Sequence, residues 1–390
     1  MRRIWAKALC AILAAGALTA CSDAFDSDDA YLVDPGTRQL VTGAEAALES
    51  YWASALPSFS QHPFEPPKGL VFYDDTHEPE VKGCRVDGPG DWVGNSFYCP
   101  GDQTLYLNPD LFAVLGKELD TPVLGGIVIH AHEFGHHLAE LDRASFATAT
   151  IGSELQADCY TGTFLSALQD GAVSIPGLGS FALYDAMQTI RRMGDEGVDW
   201  SDDVKWFEED AHGGPAQRSY AMALGAITGD PSLCQAYELT GPIDTIRVGH
   251  YEFTPPPAAR DIAFGQAHVM TSAAFPAMTL KVSPASTEAG DATTALKQAL
   301  PGSFAGTEVT QVDPPNDFVS LNGLASASLR YQQDIRNGQP THGVLVLATR
   351  GDGTGIILDV SAAGPSPDTQ GWQPLGDAAF GSLWGVYFSS

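Results

Sequence analysis

A His-Glu-x-x-His pattern inside an apolar run constrains this chain more than any other sequence feature. The run opens at Thr121-Pro122, a helix-start signature, and continues to about Leu141. On a helix, His132 and His136 lie one turn apart and project from the same face, so both imidazoles can reach one metal ion. Glu133 lies about 100° round the helix from His132. It therefore sits beside the metal, where it can take a proton from an activated water.

A third ligand is predicted on a second helix, because a catalytic zinc ion takes three protein ligands and leaves one position open. Glu154 is the candidate, and Asp158 follows it by one helical turn. Asp158 can accept a hydrogen bond from the far nitrogen of a ligand histidine, which fixes the orientation of the ring. The alternative is an ordinary solvated acidic helix edge. We expect one Zn²⁺ per chain, held by His132, His136 and Glu154.

Peptide hydrolysis also needs a group that stabilises the oxyanion, and His212 is the main candidate. Arg218 and Tyr220 are weaker candidates, and all three have the alternative of being ordinary polar residues. The two histidines that flank the motif, His130 and His137, point to other faces of the helix and are interpreted as structural. A strand over 104–108 is either an edge that pairs with an extended substrate or a plain core hairpin.

The N-terminus predicts export and lipid anchoring. Residues 1–20 have the form of a lipoprotein signal peptide, with a basic start and a short apolar stretch that is too short for a stable membrane span. It ends in Leu18-Thr19-Ala20-Cys21, which resembles a bacterial lipobox and predicts lipidation of Cys21. Residues 21–40 are then a polar tether. The alternative is an ordinary secretory leader with an incidental cysteine. The expected location is the bacterial cell envelope, on its periplasmic or extracellular face.

Four cysteines remain after the leader and the lipidated residue are set aside, an even number in an oxidising compartment. They allow three pairings, or they remain as free buried thiols. We favour Cys84 with Cys99, which closes a local loop, and Cys159 with Cys234.

Composition and chain length predict a two-domain α+β protein. The length of 390 residues fits about two domains. The formal charge of −28 would repel phosphate backbones, so nucleic-acid binding is not expected. A stiff linker signal at Thr254-Pro255-Pro256-Pro257 separates a mainly helical domain with a small sheet, 41–250, from a C-terminal α+β domain, 258–390.

Local patterns place the elements within these domains. A capping box predicts a helix start near Thr42. Strands are expected at 70–73 and in a hairpin at 96–99 and 104–107, and Asn108-Pro109 opens a helix. Further helices are expected at 154–168, 181–193, 215–227 and 293–300, and a second hairpin at 343–348 and 355–360.

These motifs, in this order, resemble the neutral zinc metallopeptidases of bacteria, over roughly Cys84 to Cys234. The resemblance implies a zincin with a glutamate as third ligand, and it supports the two disulfides. One departure is Gly213-Gly214-Pro215, where relatives usually carry hydroxyl residues after the His-Gly pair. The C-terminal part resembles small α+β domains of the PsbP-like type. The segments that carry the main resemblance are Phe97-Tyr98-Cys99-Pro100, Asp102, Tyr106-Leu107, the His-Glu-x-x-His helix, Glu154 to Cys159, Gly194-Asp195, His212-Gly213 and Gln217-Arg218.

The sequence therefore predicts a lipid-anchored zinc endopeptidase that acts on peptide or protein substrates, with Glu133 as general base. One alternative is a non-catalytic envelope lipoprotein with a structural zinc site and a partner-binding C-terminal domain. A zinc-dependent peptidoglycan amidase is a second alternative, which the order of the motifs disfavours.

Overall fold

The structure is a computed structural model that describes residues 35–84, 92–112, 115, 122–142, 150–195, 211–239, 245–257, 259–272, 275, 277–286, 291–303, 308–312, 316–317, 324–334, 340–364 and 372–388. The predicted leader and Cys21 lie outside these ranges. Within them, no helix combines the length and apolar character that crossing a bilayer requires.

Helices dominate the first half of the chain, and the predicted helices after residue 121 are confirmed to within a few residues at their ends. Two 3₁₀ turns, Leu56–Ser58 and Pro231–Gln235, accompany them. The helices are α1 (Pro35–Ala55), α2 (Pro122–Asp142), α3 (Thr150–Gln169), α4 (Leu183–Arg192), α5 (Pro215–Thr228) and the short α6 (Ala236–Leu239).

The start predicted for the first helix near Thr42 is wrong, since α1 begins at Pro35 inside the predicted tether. Proline suits the first turn of a helix, because its fixed φ is helical and its missing N–H would have had no partner there. The apolar face extends to Val41, which is buried together with Leu48 and Trp52. The capping-box spacing at Thr42 therefore lies within a helix that is already formed.

A three-stranded sheet lies beside the helices in the order β1-β3-β2, with β1 at Gly69–Phe72, β2 at Phe97–Cys99 and β3 at Thr104–Leu107. The predicted hairpin of β2 and β3 is confirmed. The idea that strand 104–108 forms an edge is wrong. All four residues of β3 are buried, and β1 pairs with it in parallel on one side while β2 pairs with it antiparallel on the other. The exposed edge of this sheet next to the helices is β2.

Helices α3 and α5 cross at a pair of glycines. A Cβ added at Gly162 would lie 2.0 Å from the carbonyl oxygen of Met222, and one at Gly225 would lie 2.0 Å from that of Cys159. Only glycine permits this backbone approach. The close crossing places the start of α5, which carries Arg218, against the face of α3 that carries Asp158.

The predicted disulfide pairing is confirmed. Cys84 and Cys99 are joined with a Cα–Cα distance of 5.8 Å, and Cys159 and Cys234 with 5.4 Å. The first bond ties the loop before β2 to the end of that strand. The second joins α3, one residue after Asp158, to the 3₁₀ turn after α5, and so holds the α3–α5 crossing covalently.

The second half of the chain is rich in strands. Its predicted helix and hairpin are confirmed as α7 and as the pair β12–β13. The elements are β4 (Ile246–Val248), β5 (Tyr251–Phe253), β6 (Arg260–Phe264), β7 (Ala267–Thr271), β8 (Met278–Ser286), α7 (Ala292–Ser303), β9 (Glu308–Gln311), β10 (Asn316–Asp317), β11 (Ala325–Asp334), β12 (Thr341–Thr349), β13 (Thr354–Ala363), α8 (Gln373–Trp384) and β14 (Val386–Phe388).

The large sheet runs β10-β11-β12-β13-β8-β7-β6, with β9 also paired to β11, and its described neighbours are antiparallel. Alternate residues of a strand face opposite sides of a sheet. On β12, Val344 and Val346 pack into the core that includes α8, whereas Leu345 and Leu347 pack with α7. Both faces of the central strands are therefore covered.

Contacts join the two halves of the chain. The segment 254–257, predicted to be a stiff linker, is largely buried, and the Thr254 N–H donates to the carbonyl of Gly385 (2.9 Å). The C-terminal β14 pairs with β5, and α8 packs on α5. Residues of both halves, such as Leu224 and Trp384, belong to one hydrophobic cluster. The domain limits 41–250 and 258–390 stay a prediction, and the halves share a core across them.

Candidate active site

Helix α2 presents His132, Glu133 and His136 to a common space, as the motif predicts. The helix is almost fully buried, and it approaches α3 closely at Gly135, where an added Cβ would lie 2.8 Å from the Cα of Ala157. This small residue between the two histidines lets the next helix come near enough to supply a ligand.

That ligand is Glu154 on α3. Its Oε2 lies 3.2 Å from Nε2 of His132, and its Oε1 lies 3.2 Å from Nε2 of His136. One ligand atom from each of the three residues lies within 4.8 Å of the others, so the three can converge on a single ion. Among the described residues, these three form the one cluster of His, Cys, Asp or Glu side chains that could hold a metal ion, and it contains the predicted third ligand.

The donor chemistry of the cluster fits a metal. Nδ1 of His132 lies 2.8 Å from Oδ1 of Asp158, so Nδ1 carries the proton and Nε2 turns its lone pair towards Glu154. Oε2 of Glu154 is buried and makes no hydrogen bond. Two lone pairs that face each other at 3.2 Å repel unless a proton or a metal ion lies between them. Two imidazoles and a carboxylate are a ligand set typical of catalytic zinc.

Asp158 in turn is held by Arg218. The guanidinium donates from Nε to Oδ2 and from Nη2 to Oδ1, each at 2.9 Å, and both side chains are fully buried. Nη2 also lies 3.5 Å from Oε2 of Glu154. Bidentate pairing of this kind fixes a carboxylate in direction as well as in charge. Arg218 therefore holds Asp158, which contacts His132, and Nη2 of Arg218 also lies 3.3 Å from Nε2 of His132.

Burial and charge set the protonation of these groups in opposite directions. Burial raises the pKa of Glu133, and the neighbouring histidines only partly offset this, as suits a general base. Burial alone would raise the pKa of Asp158, but Arg218 and His132 lower it. Burial would likewise raise the pKa of Glu154, but His136 and His132 lower it. Both carboxyl groups therefore stay charged. Burial lowers the pKa of His132, yet Asp158 and Glu154 raise it to about 10.

The two flanking histidines turn away from the cluster, as expected. His130 is paired with Glu45 of α1. His137 lies 2.8 Å from the carbonyl oxygen of Glu65 through Nε2 and 3.1 Å from the hydroxyl of Tyr98 through Nδ1. Both histidines tie α2 to neighbouring segments.

The three candidates for oxyanion stabilisation occupy different positions. His212 lines the cavity above the metal ligands, is about half exposed, and has Nδ1 3.6 Å from Oδ1 of Asp195. Its proposed role stays a prediction. Arg218 also lines the cavity, and its guanidinium is bound to Asp158, which supports a role in positioning. Tyr220 is fully buried and does not line the cavity, and its hydroxyl has no hydrogen-bond partner among the described residues.

A cavity of about 390 Å³ opens over the cluster, which leaves room for a substrate beside the metal ligands. Strand β2 and the segment before it form one wall, and α2 and α3 form the floor. The lining residues are Asn95, Ser96, Phe97, Tyr98, Pro100, His132, Glu133, His136, Ala139, Glu140, Ser153, Glu154, Met193, His212 and Arg218.

Two features of this site were not predicted from the sequence. The first is the pairing of Arg218 with Asp158, whose only signal was an arginine in the motif after His212. The second is the position of Tyr98 and Glu140 in the cavity wall, where the Tyr98 hydroxyl donates to Oε2 of Glu140. Glu140 lies one turn after His136 on the same helix, so helical spacing alone could have indicated it.

Comparison with known proteins agrees with this geometry. Residues 25–237 match the family described as “Putative neutral zinc metallopeptidase”. The uncharacterized protein Rv2575 of Mycobacterium tuberculosis is 29% identical over 210 residues, which cover 49% of this chain and 67% of that protein. The uncharacterized protein YpfJ of Escherichia coli K12 is 25% identical over 209 residues, covering 49% and 68%.

Solved structures show weaker likenesses. Cyanobacterial PsbP from Synechocystis covers 37% of this chain and 91% of its own length, at 14% identity and a TM-score of 0.27. The Ran-binding protein Mog1p of Saccharomyces cerevisiae covers 37% and 96%, at 9% identity and a TM-score of 0.28.

Proposed function

Because the chain belongs to the neutral zinc metallopeptidase family, we propose that it is an endopeptidase that hydrolyses peptide bonds in peptide or protein substrates. The observation that carries the proposal is the position of Glu133. Its carboxylate is buried between the two histidines and lines the cavity in which a substrate would lie. A purely structural zinc site needs no base, so Glu133 favours catalysis over the non-catalytic alternative.

In the proposed reaction, His132, His136 and Glu154 hold the metal, and Asp158 fixes the ring of His132. A bound zinc ion supplies Lewis-acid chemistry by polarising the substrate carbonyl and acidifying water. Glu133 takes the proton from the attacking water and passes it to the leaving amine. Burial raises the pKa of Glu133, which is the direction that favours uptake of the water proton. His212 is proposed to stabilise the oxyanion.

We also propose that the protein acts in the bacterial cell envelope, held to a membrane by a lipid on Cys21. The lipobox-like sequence and the two disulfides support this, since disulfides persist in oxidising compartments. Cys21→Ser should release the protein into the soluble fraction with its fold intact. Membrane association that persists in this variant would contradict the lipid anchor.

The test of the catalytic proposal uses the soluble form that starts after Cys21. Zinc per chain is measured by metal analysis, and a peptide library is digested and read by mass spectrometry. Glu133→Gln should keep the zinc, because the ligands remain, and should lower the rate by about 10²–10⁴-fold.

Glu78→Gln is the matched control, because Glu78 is exposed and lies outside the cavity lining. It should retain both zinc and activity. Full hydrolysis by Glu133→Gln would contradict the assigned base. A zinc-loaded wild type that cleaves no peptide would favour the non-catalytic alternative, and cleavage of peptidoglycan amide bonds alone would favour the amidase.

A further inference from the structure

One carboxylate of the cavity wall has no part in the metal centre. Of the acidic lining residues, Glu133 is the proposed base and Glu154 the metal ligand, which leaves Glu140. Arg218 is the permanently charged cation among the lining residues, and it is bound to Asp158. The negative charge of Glu140 is therefore not neutralised from within the cavity.

The position of Glu140 relates it to the bond that would be cleaved. It follows His136 by four residues on α2, so it lies about 6 Å further along the helix axis. An extended peptide advances about 3.3 Å per residue. For a substrate that runs parallel to the α2 axis with its reacting carbonyl over the metal ligands, a side chain one or two residues from the cleaved bond would therefore lie next to Glu140.

Contacts on one side hold the Glu140 carboxylate in place. The Tyr98 hydroxyl donates to Oε2, and His137 contacts the same hydroxyl from the other side at 3.1 Å. Burial and the neighbouring Glu140 raise the pKa of Tyr98, so the hydroxyl keeps the proton that it donates. In the described part of the chain, Glu140 makes no ion pair. The carboxylate is thus fixed in direction, and none of the described residues pairs it with a cation.

Apolar groups line the cavity together with Glu140. They include Pro100, Ala139, which precedes Glu140 on the helix, and the ring of Tyr98, whose hydroxyl contacts it. Lysine and arginine side chains pack their aliphatic stems on such surfaces and place the charged end in a polar position. An aromatic ring beside a cation adds further attraction. The net charge of −28 would also draw cationic peptides towards the protein.

From this arrangement we infer that Glu140 is the specificity-determining residue of a subsite for a lysine or arginine side chain of the substrate. The inference rests on the proposed peptidase function. The carboxylate binds the ammonium or guanidinium group, and the wall of Pro100, Ala139 and Tyr98 covers the aliphatic stem. The subsite lies one or two residues from the cleaved bond.

The test compares peptides that differ in one residue, lysine or the uncharged norleucine, placed at each of the two positions on either side of the cleaved bond. For the wild type, kcat/KM should favour lysine by about 10-fold or more at one position, as expected for a hydrogen bond to a charged group. Glu140→Gln keeps the shape and the contact with Tyr98, and the ratio should fall to near unity. Glu140→Lys should reverse the preference towards a glutamate peptide.

A binding measurement separates failure of this inference from failure of the proposed function. Zinc-loaded Glu133→Gln protein is titrated with the same labelled peptides, and anisotropy is recorded at low and high salt. Lysine peptides should bind more tightly, with a preference that salt weakens and that adding Glu140→Gln removes. Glu80→Gln, an exposed carboxylate outside the cavity, should keep the preference. Equal binding of both peptides, or a preference that survives Glu140→Gln, would overturn the subsite even if hydrolysis is observed. If Glu133→Gln binds lysine peptides preferentially but the wild type hydrolyses no peptide, the subsite is supported and the peptidase function is contradicted.

Discussion

Asp158 in the helical region and Asp359 in the C-terminal sheet are two carboxylates inside the protein, and they differ in what faces them. Asp158 is fully buried against the guanidinium of Arg218, which outweighs burial and lowers its pKa. Asp359 accepts a hydrogen bond from Tyr331 (2.6 Å), but burial outweighs this bond and the charge of Lys281, and raises its pKa to about 6.

This difference shows how charge is distributed in the molecule. In the helical region, the buried charges of Asp158 and Arg218 are paired with each other, and both contact metal ligands. In the C-terminal region, Asp359 is partly buried on an otherwise apolar face of the sheet, and the neutral hydroxyl of Tyr331 donates to it. A buried charge without a fixed counter-charge tends to become neutral instead. Changes in the helical network should therefore alter metal binding and stability together, whereas changes around Asp359 should alter stability alone.

The largest effect on metal binding is expected for Glu154→Ala, which removes a ligand. Zinc affinity should fall by more than the ~10–100-fold typical of a residue that only orients a ligand. Metal content after dialysis and competition with a chelator measure this loss. Glu140→Ala is the matched control, because Glu140 lies in the same cavity but outside the ligand cluster. If Glu154→Ala still holds one zinc per chain with wild-type affinity, the assignment of the third ligand is wrong.

The next effect is on stability. Arg218→Met leaves Asp158 buried without its counter-charge, which should cost about 3–5 kcal/mol in the free energy of unfolding and should also weaken zinc binding. Urea unfolding of the zinc-free protein measures the first effect. Lys281→Met makes the equivalent change beside Asp359 and should cost less than about 1 kcal/mol. If both variants lose the same free energy of unfolding, the proposed difference between the charged groups of the two regions is wrong.

A smaller effect is expected for Asp158→Asn, which keeps the shape of the side chain but weakens its hold on His132. We expect zinc affinity to fall by about 10–100-fold while Glu154, His132 and His136 still bind the ion. Chelator competition gives the affinity. The spectrum of the cobalt-substituted protein reports whether the ligand geometry is kept. An affinity equal to that of the wild type would contradict the role of Asp158 in orienting His132.

Sequence patterns predicted those parts of the site that lie on single helices. Helical spacing alone brings His132 and His136 together, and the capping and turn residues give the helix ends. Two relations between elements, the ligand Glu154 and the Cys159–Cys234 bond, were also predicted, but others need the tertiary structure. The burial of β3 between two partners depends on β1, far away in sequence, and the pairing of Arg218 with Asp158 depends on the close crossing of α3 and α5. The start of α1 at Pro35 was not predicted, because the residues at Thr42 have capping-box spacing although they lie inside the helix.

The smallest effect, and the one specific to the C-terminal sheet, is the pH dependence of Asp359. Its pKa is raised from 3.8 to about 6, so the folded protein binds this proton more tightly than the unfolded chain does. The stability from this group is therefore complete below about pH 4 and is lost as the pH rises through about 6. Asp359→Asn cannot ionise, so its stability relative to the wild type should increase over this window, by at most about 3 kcal/mol. Urea unfolding of both proteins at pH 4, 5, 6 and 7 measures the difference. Tyr331→Phe removes a hydrogen bond that favours the charged form and should make the loss with pH steeper. If the wild type and Asp359→Asn keep a constant difference in stability across this range, Asp359 titrates like an exposed carboxylate, and the contrast with Asp158 fails.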